Sequence, residues 1–245
     1  MKIHRISITQ DQVDHIPSPE RAFYIHIGHL RHELMVLKKL LELSAKETPA
    51  DPILCDVHLS QQFIIGRLLA GKIREGWELI KKAYFGTKLS LGIEKALPND
   101  TTMALKNLKK YFRTKNLIDC VRNEFAFHYD PERVQSQVLL VEQTDNLKIY
   151  IAETEDVFFQ LSDAIVQSAM LEAVQEGDHA VQEGDHIAAA EKFFKEIMVV
   201  SGQLVDFCDG CLHYMIEQYI GYGSEEVEVS VPPDCDDLRL SFFCK

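Results

Sequence analysis

The sequence predicts an all-α protein, a helical bundle of about six helices with long antiparallel members and a minor β-strand element. Three observations carry this. Apolar residues recur at three- and four-residue spacing along most of the chain, which is the period of one helix face. Glycine and proline are scarce, 12 and 8 in 245 residues, whereas a loop-rich β fold needs many turn residues. Ser-Pro, Asp-Pro and Gly signals bracket the periodic stretches, as helix starts and stops do. The chain divides into an N-terminal segment (1–17), a helical domain (18–220) and an acidic C-terminal tail (221–245).

The first long helix is expected at Ser18-Pro19-Glu20, with serine as the N-cap, proline in the first turn and an acid where the dipole favours one. Phe23, Ile27, Leu30, Leu34, Leu37 and Leu41 form its apolar stripe, and the end falls near Lys46. Asp51-Pro52 opens a second helix reaching about Gly86. Leu54, Val57, Ile64, Ile65, Leu68, Leu69, Ile73, Trp77, Ile80 and Tyr84 are its expected buried side. Gly66, Gly71 and Gly76 weaken it locally and mark close approach of another helix. Residues 87–98 are a loop or a short helix.

Asp100 is expected to cap a third helix, TTMALKNLKKYF, and Asn116 or Thr114 a fourth, LIDCVRNEFAF. Ile118, Val121, Phe125 and His128 could share one face of the fourth. Pro131-Glu132 starts a short helix, and alternation in LKIYIAE (147–153) predicts a strand. Ser162 is read as the cap of a helix to about Val174. A last helix spans about 187–220, with Phe194, Ile197, Met198, Ser201, Leu204, Val205, Cys208, Leu212, Met215 and Tyr219 inward, and Gly221 and Gly223 end it. EVEVSV is a possible edge strand. AVQEGDHAVQEGDH (173–186) is a tandem copy of seven residues. Seven residues are about two helical turns, so a helix could absorb the copy, although its EGD triplets favour a loop. Its His179, His186, Asp178 and Asp185 could bind a metal, but a tolerated duplication without chemistry is the simpler reading.

The net charge is −12, which argues against polyanion binding by the whole surface. The distribution is uneven. Residues 67–122 carry 13 Lys and Arg against 5 Asp and Glu, while residues 123–245 carry 6 against 25. A local basic region is what an RNA or phosphate groove needs; the alternative is a solvated helix surface. No apolar run approaches the roughly 20 residues that cross a bilayer, and MKIHRISITQDQVDH lacks the apolar stretch of a secretory signal. A cytoplasmic protein with no membrane partner is expected. The six cysteines do not form a disulfide framework in a chain this long; Cys55 and Cys120 read as core residues. No phosphate loop, nucleophile elbow or dinucleotide fingerprint is present, so no cofactor is expected.

RNEFAFHYDP (122–131) holds the candidate chemistry. Arg122 is followed by polar Asn123, and His128 stands six positions on, just before Asp130-Pro131. A histidine titrates near neutrality and can move a proton. An arginine can clamp a phosphate and steady developing charge. Six residues apart on an unbroken α-helix, the two side chains differ by about 120° in direction. They meet only if the helix stops early, which proline at 131 encourages. The alternatives are a salt bridge from Arg122 to Asp119 or Asp130, and a core-edge histidine bonded to a backbone carbonyl. Arg21 and His26 stand at a similar spacing, with four residues between rather than five, but Ala22 supplies no polar neighbour.

An arginine, a polar neighbour and a histidine, with four to six residues between arginine and histidine, resemble the signature of HEPN domains (higher eukaryotes and prokaryotes nucleotide-binding); here five residues lie between Arg122 and His128. The wider stretches RLLAGKIREGWELIKKAYFG and RNEFAFHYD are similar to uncharacterised bacterial HEPN-like proteins of the abortive-infection type. The resemblance implies a metal-independent endoribonuclease working in a dimeric cleft. His128 would be the acid/base, Arg122 the phosphate clamp and Asn123 the orienter, with Lys106, Lys109, Lys110, Arg113 and Lys115 contacting RNA backbone. It implies RNA, a second copy of the chain, and an antitoxin or defence protein as partners. Some HEPN toxins carry a tyrosine two places after the histidine, where a partner nucleotidyltransferase modifies it. Here Tyr129 follows His128 directly and Asp130 holds that place. The alternative class is a catalytically inert helical interaction module.

His26 and Glu33, with Tyr129, are candidate additions to the pocket. His26, His29, His32 and Glu33 lie at helical spacing, but no HExxH is present and a polar surface is the plainer reading, so no metal is expected. CDGCLH (208–213) holds a CxxC, and the cysteines left to complete a zinc site, Cys235 and Cys244, are spaced nine apart. Packing is the plainer reading there too.

Overall fold

The computed structural model describes residues 2–46, 49–126, 131–140, 147–154, 156–176, 185–221 and 223–230. Among them are nine α-helices: α1 (Gln10–His15), α2 (Ser18–Ser44), α3 (Pro52–Ala83), α4 (Lys88–Ala96), α5 (Asn99–Tyr111), α6 (Leu117–Val121), α7 (Pro131–Leu140), α8 (Gln160–Glu176) and α9 (His186–Met215). Two π-helical turns, Arg122–Ala126 and Ile216–Ile220, extend α6 and α9. The strands are β1 (Lys2–Ile6), β2 (Tyr150–Ile151), β3 (Val157–Phe158) and β4 (Ser224–Glu228). The protein is all-α, with β1 antiparallel to β4 and β2 antiparallel to β3.

Three long helices make the centre. Gln62 Nε2 donates to Ser44 O at 2.9 Å and Lys72 meets Glu33 at 2.8 Å, so α2 and α3 run antiparallel. Arg31 pairs with Asp209 at 2.8 Å and Tyr219 Oη donates to Glu20 at 2.6 Å, so α9 also runs antiparallel to α2. Gly66 faces Phe193 and Gly76 faces Leu30 and Leu204, so α3 and α9 are parallel, and glycine lets them approach closely. Phe23, Ile27, Leu34, Leu69, Ile73, Phe193 and Phe207 fill the space between, all fully buried. α5 lies on α9 antiparallel, with Tyr111 bonded to Glu196 and Gly210 against Thr101.

Several element edges differ from expectation. Pro17, not Ser18, is the N-cap of α2, and no side chain bonds there; Ser18 and Pro19 are already helical. Asp51 does cap α3, accepting from the N–H groups of Ile53 and Leu54. Asp100 lies inside α5, whose N-cap is Pro98. Ser162 lies inside α8, which begins at Gln160. In each case proline or an earlier polar residue lets the helix start sooner. Leu54, Ile64 and Leu68 are exposed rather than buried, whereas Phe63 is in the core. On α9, Phe193, Val200, Phe207 and Cys211 are buried and Phe194, Met198, Leu212 and Tyr219 only pack at its margin. The predicted strand shrinks to Tyr150–Ile151. The duplication enters at the end of α8, and Asp185 caps α9; its residues 177–184 lie outside the described residues.

Two elements went unforeseen, α1 and β1, whereas β4 overlaps the edge strand expected at EVEVSV. Thr9 and Gln12 form a reciprocal capping box on α1, with Thr9 N–H donating to Gln12 Oε1 at 2.9 Å. β1 pairs with β4 in register Lys2 to Glu228 through Ile6 to Ser224, tying the N-terminal segment to the tail. Lys2–Glu226 and Arg5–Glu225 reinforce it.

Candidate functional site

The Arg122 motif is built on a short helix that starts well. Asn116 caps α6, its Oδ1 accepting from the N–H of Asp119 at 2.9 Å. Ile118, Val121 and Phe125 then anchor one face in the core. That leaves Asp119 and Arg122, three apart, turned toward α3. Arg74 of α3 meets Asp119 at 3.0 Å and Glu78 at 2.6 Å. Arg122 meets Glu75 of α3 at 2.9 Å. Among the described residues the ion-pair partner of Arg122 is therefore Glu75, a residue absent from the sequence expectation, because Arg74 holds Asp119; Asp130 lies outside the described residues.

Arg122 Nη1 donates to Oδ1 of its neighbour Asn123 at 3.0 Å. The guanidinium is half-buried and Asn123 is exposed. Its Nε is shielded and has no hydrogen-bond partner among the described residues. The α-helical hydrogen bonding ends at Val121, and a new helix begins at Pro131. Residues 122–126 thus depart from α-helical geometry. His128 and Tyr129 lie outside the described residues.

Among the proposed additions to the pocket, His26 is exposed and bonds to neither Arg122 nor Asn123. Glu33 is engaged by Lys72 at 2.8 Å and by His29 at 3.7 Å. Lys72 and Glu75 sit three apart on α3, so one stripe of that helix reaches Glu33 on one side and Arg122 on the other. No group of three metal-ligating side chains gathers among the described residues. Cys208 and Cys211 are fully buried, and burial pushes both thiols well up. They are packing residues, and Cys235 and Cys244 lie outside the described residues.

The predicted backbone contacts, Lys106, Lys109, Lys110, Arg113 and Lys115, are all exposed. The first three follow helical spacing around the outer face of α5, Arg113 and Lys115 follow just beyond its end, and the buried Thr101, Ala104, Leu105 and Leu108 hold the opposite face down. Lys109 is partly engaged, 3.1 Å from Glu94 and 4.8 Å from the Phe85 ring centroid. Lys110 and Lys115 face a cavity of about 680 Å³ between α5, α6, α7, α8 and α9, which Arg122 does not line.

This cavity was not foreseen. Arg133, Lys192 and Lys195 join Lys110 and Lys115 around it. Arg133 meets Glu124 and Glu176, each at 2.9 Å. Tyr111 Oη donates to Glu196 at 2.5 Å and accepts from the N–H of Ile118 at 3.3 Å. Burial, then the Glu196 carboxylate, pushes the Tyr111 phenol far up. Cys120 lines the wall with its thiol pushed up to about 11, by burial first and Glu124 next, so it is no thiolate nucleophile at neutral pH. The available signal was Lys192 and Lys195, one helical turn apart within an otherwise acidic half.

Fold and site together define an all-helical protein with a cationic helix face, a buttressed arginine at a helix end and a separate ligand-sized cavity. Comparison of the chain with family models, with curated proteins and with solved structures finds no match. None of the described helices is long and apolar enough to cross a membrane.

Proposed function

We propose that this chain is a metal-independent, cytoplasmic endoribonuclease of HEPN type. The observation that carries the reading is the Arg122–Asn123 hydrogen bond at the point where α6 loses its α-helical geometry. Such π-helical turns are common at functional sites. A guanidinium has five donors. Glu75 and Asn123 fix its orientation and leave others for a phosphate oxygen. His128 would take the 2′-hydroxyl proton as that oxygen attacks the adjacent phosphorus, and the bond to the 5′-oxygen would break. The exposed face of α5 would hold the RNA backbone.

A second copy would complete the cleft. Ile64 and Leu68 are 41% and 39% exposed on α3, on the stripe that continues to Lys72 and Glu75. That apolar face beside the Arg122 ion pair suits a twofold contact. An antitoxin or defence protein is the proposed regulator.

The test is cleavage of a labelled single-stranded RNA in EDTA. Wild type is expected to leave 2′,3′-cyclic phosphate ends. His128→Ala and Arg122→Ala are expected to lose about 100-fold or more of the rate. Ile64→Glu with Leu68→Glu should shift the protein to monomer in light scattering. Equal rates in wild type and His128→Ala would favour a second reading, an inert helical interaction module. Glu75 favours that reading, since it already satisfies Arg122 as a structural ion pair.

A further inference from the structure

Residues 123–230 contain only four lysines and arginines: Arg133, Lys148, Lys192 and Lys195. Three of the four line the cavity of about 680 Å³. Lys110 and Lys115 reach it from α5 and the turn after it. Two helices distant in sequence thus aim positive charge at a common space, one of them from the acidic half of the chain. The carboxylates there are already committed, Glu196 to Tyr111 and Glu176 to Arg133. Lys110, Lys115 and Lys195 have no acidic partner among the described residues. With Lys192 and Arg133, five cationic side chains line a cavity that two carboxylates, Glu176 and Glu196, also line, and a bound anion relieves the repulsion of that excess of like charge.

The wall behind the charges narrows the choice of anion. Leu117, Ala173, Val174, Val199 and Val200 supply aliphatic surface, and Tyr111 is the only aromatic among the described residues that line it. Nucleobase sites stack bases on aromatic faces, and the hydroxyl of Tyr111 is tied to Glu196. An aliphatic wall suits a hydrocarbon chain instead. The volume, about 680 Å³, lies within the range of small-molecule sites.

We infer that the cavity binds an aliphatic phosphate monoester, its head held by Lys110, Lys115, Lys192 and Lys195 and its chain laid along the valine and leucine wall. The site is separate from Arg122 and adds a small-molecule ligand to the proposed nuclease.

Calorimetry on the full chain tests this with n-octyl phosphate, n-butyl phosphate, inorganic phosphate and adenosine monophosphate, each below its aggregation limit. Octyl phosphate is expected to bind at least about tenfold tighter than butyl phosphate, from the added methylenes. Lys192→Gln with Lys195→Gln, at the surface end of α9, should weaken octyl phosphate about tenfold or more at an unchanged unfolding midpoint. Lys110→Gln with Lys115→Gln gives the same readout from the opposite wall. Equal affinity for octyl and inorganic phosphate, tighter binding of the nucleotide, or affinity unchanged in both lysine pairs would overturn the inference. Vesicles containing phosphatidate form a further arm. Lysine-dependent binding to vesicles alone assigns the head to a lipid, binding to the dispersed ester alone assigns it to a free amphiphile, and binding to neither overturns it.

Discussion

Tyr84 carries a hydroxyl into the middle of the core with no hydrogen-bond partner among the described residues. The residue is fully buried, its ring against Phe23, Phe85 and Phe207, and burial pushes its phenol far up. An unpaired buried hydroxyl costs about 1–3 kcal/mol, while a phenylalanine ring keeps all three aromatic contacts. Tyr84→Phe is therefore expected to raise stability by about 1 kcal/mol in urea unfolding, and a loss of stability would mean that the hydroxyl has a partner. The periodic spacing marks Tyr84 as a core residue but says nothing about the fate of its oxygen. Arg122 shows the same limit. Its motif and its polar neighbour Asn123 are legible in the chain, and the two side chains do bond. Its partner Glu75, 47 residues earlier, becomes visible only when α6 lies across α3.

At the scale of elements, the glycines of α3 were the most informative residues. A methyl group at Gly66 would stand 2.8 Å from Cε1 and 3.1 Å from Cζ of Phe193. Alanine gains about 1 kcal/mol in helix propensity, but crowding a packed core costs about 1–3 kcal/mol. Phe193 is fully buried and stacked on Phe63, so its ring has little room to yield. Gly66→Ala is expected to lose about 1 kcal/mol, read as a lower urea midpoint at unchanged slope; a gain would mean that α9 shifts freely. Helix existence was legible because the three-four period persists over many residues. Helix edges were less so, since Ser18, Asp100 and Ser162 all suit a cap yet fall inside helices that begin earlier. Exposure of Ile64 and Leu68 was hidden because α3 is apolar around more than one face, and only packing decides which face is covered.

For the whole molecule, uneven charge is the property that sequence conveys best and folding refines most. The basic stretch gives α5 its outer face of Lys106, Lys109 and Lys110, all exposed, with Arg113 and Lys115 just beyond. The cavity could not be read this way, because Lys192 and Lys195 join Lys110 only through the antiparallel packing of α5 on α9. The N-terminal strand likewise meets its partner β4 more than 200 residues on, as in the pairing of Arg5 with Glu225. If RNA lies along α5, its affinity must fall with salt as cations on the RNA are released. Single strands give a log–log slope of about −0.7 per phosphate neutralised. Lys109 is held by Glu94 and Phe85, which leaves Lys106, Lys110, Arg113 and Lys115 and a slope of about −3. Lys106→Gln with Lys110→Gln should flatten that slope by about 1.4 in fluorescence anisotropy, equally for unrelated sequences, since phosphate contacts carry no base information. A slope unchanged by that pair would move the RNA off α5.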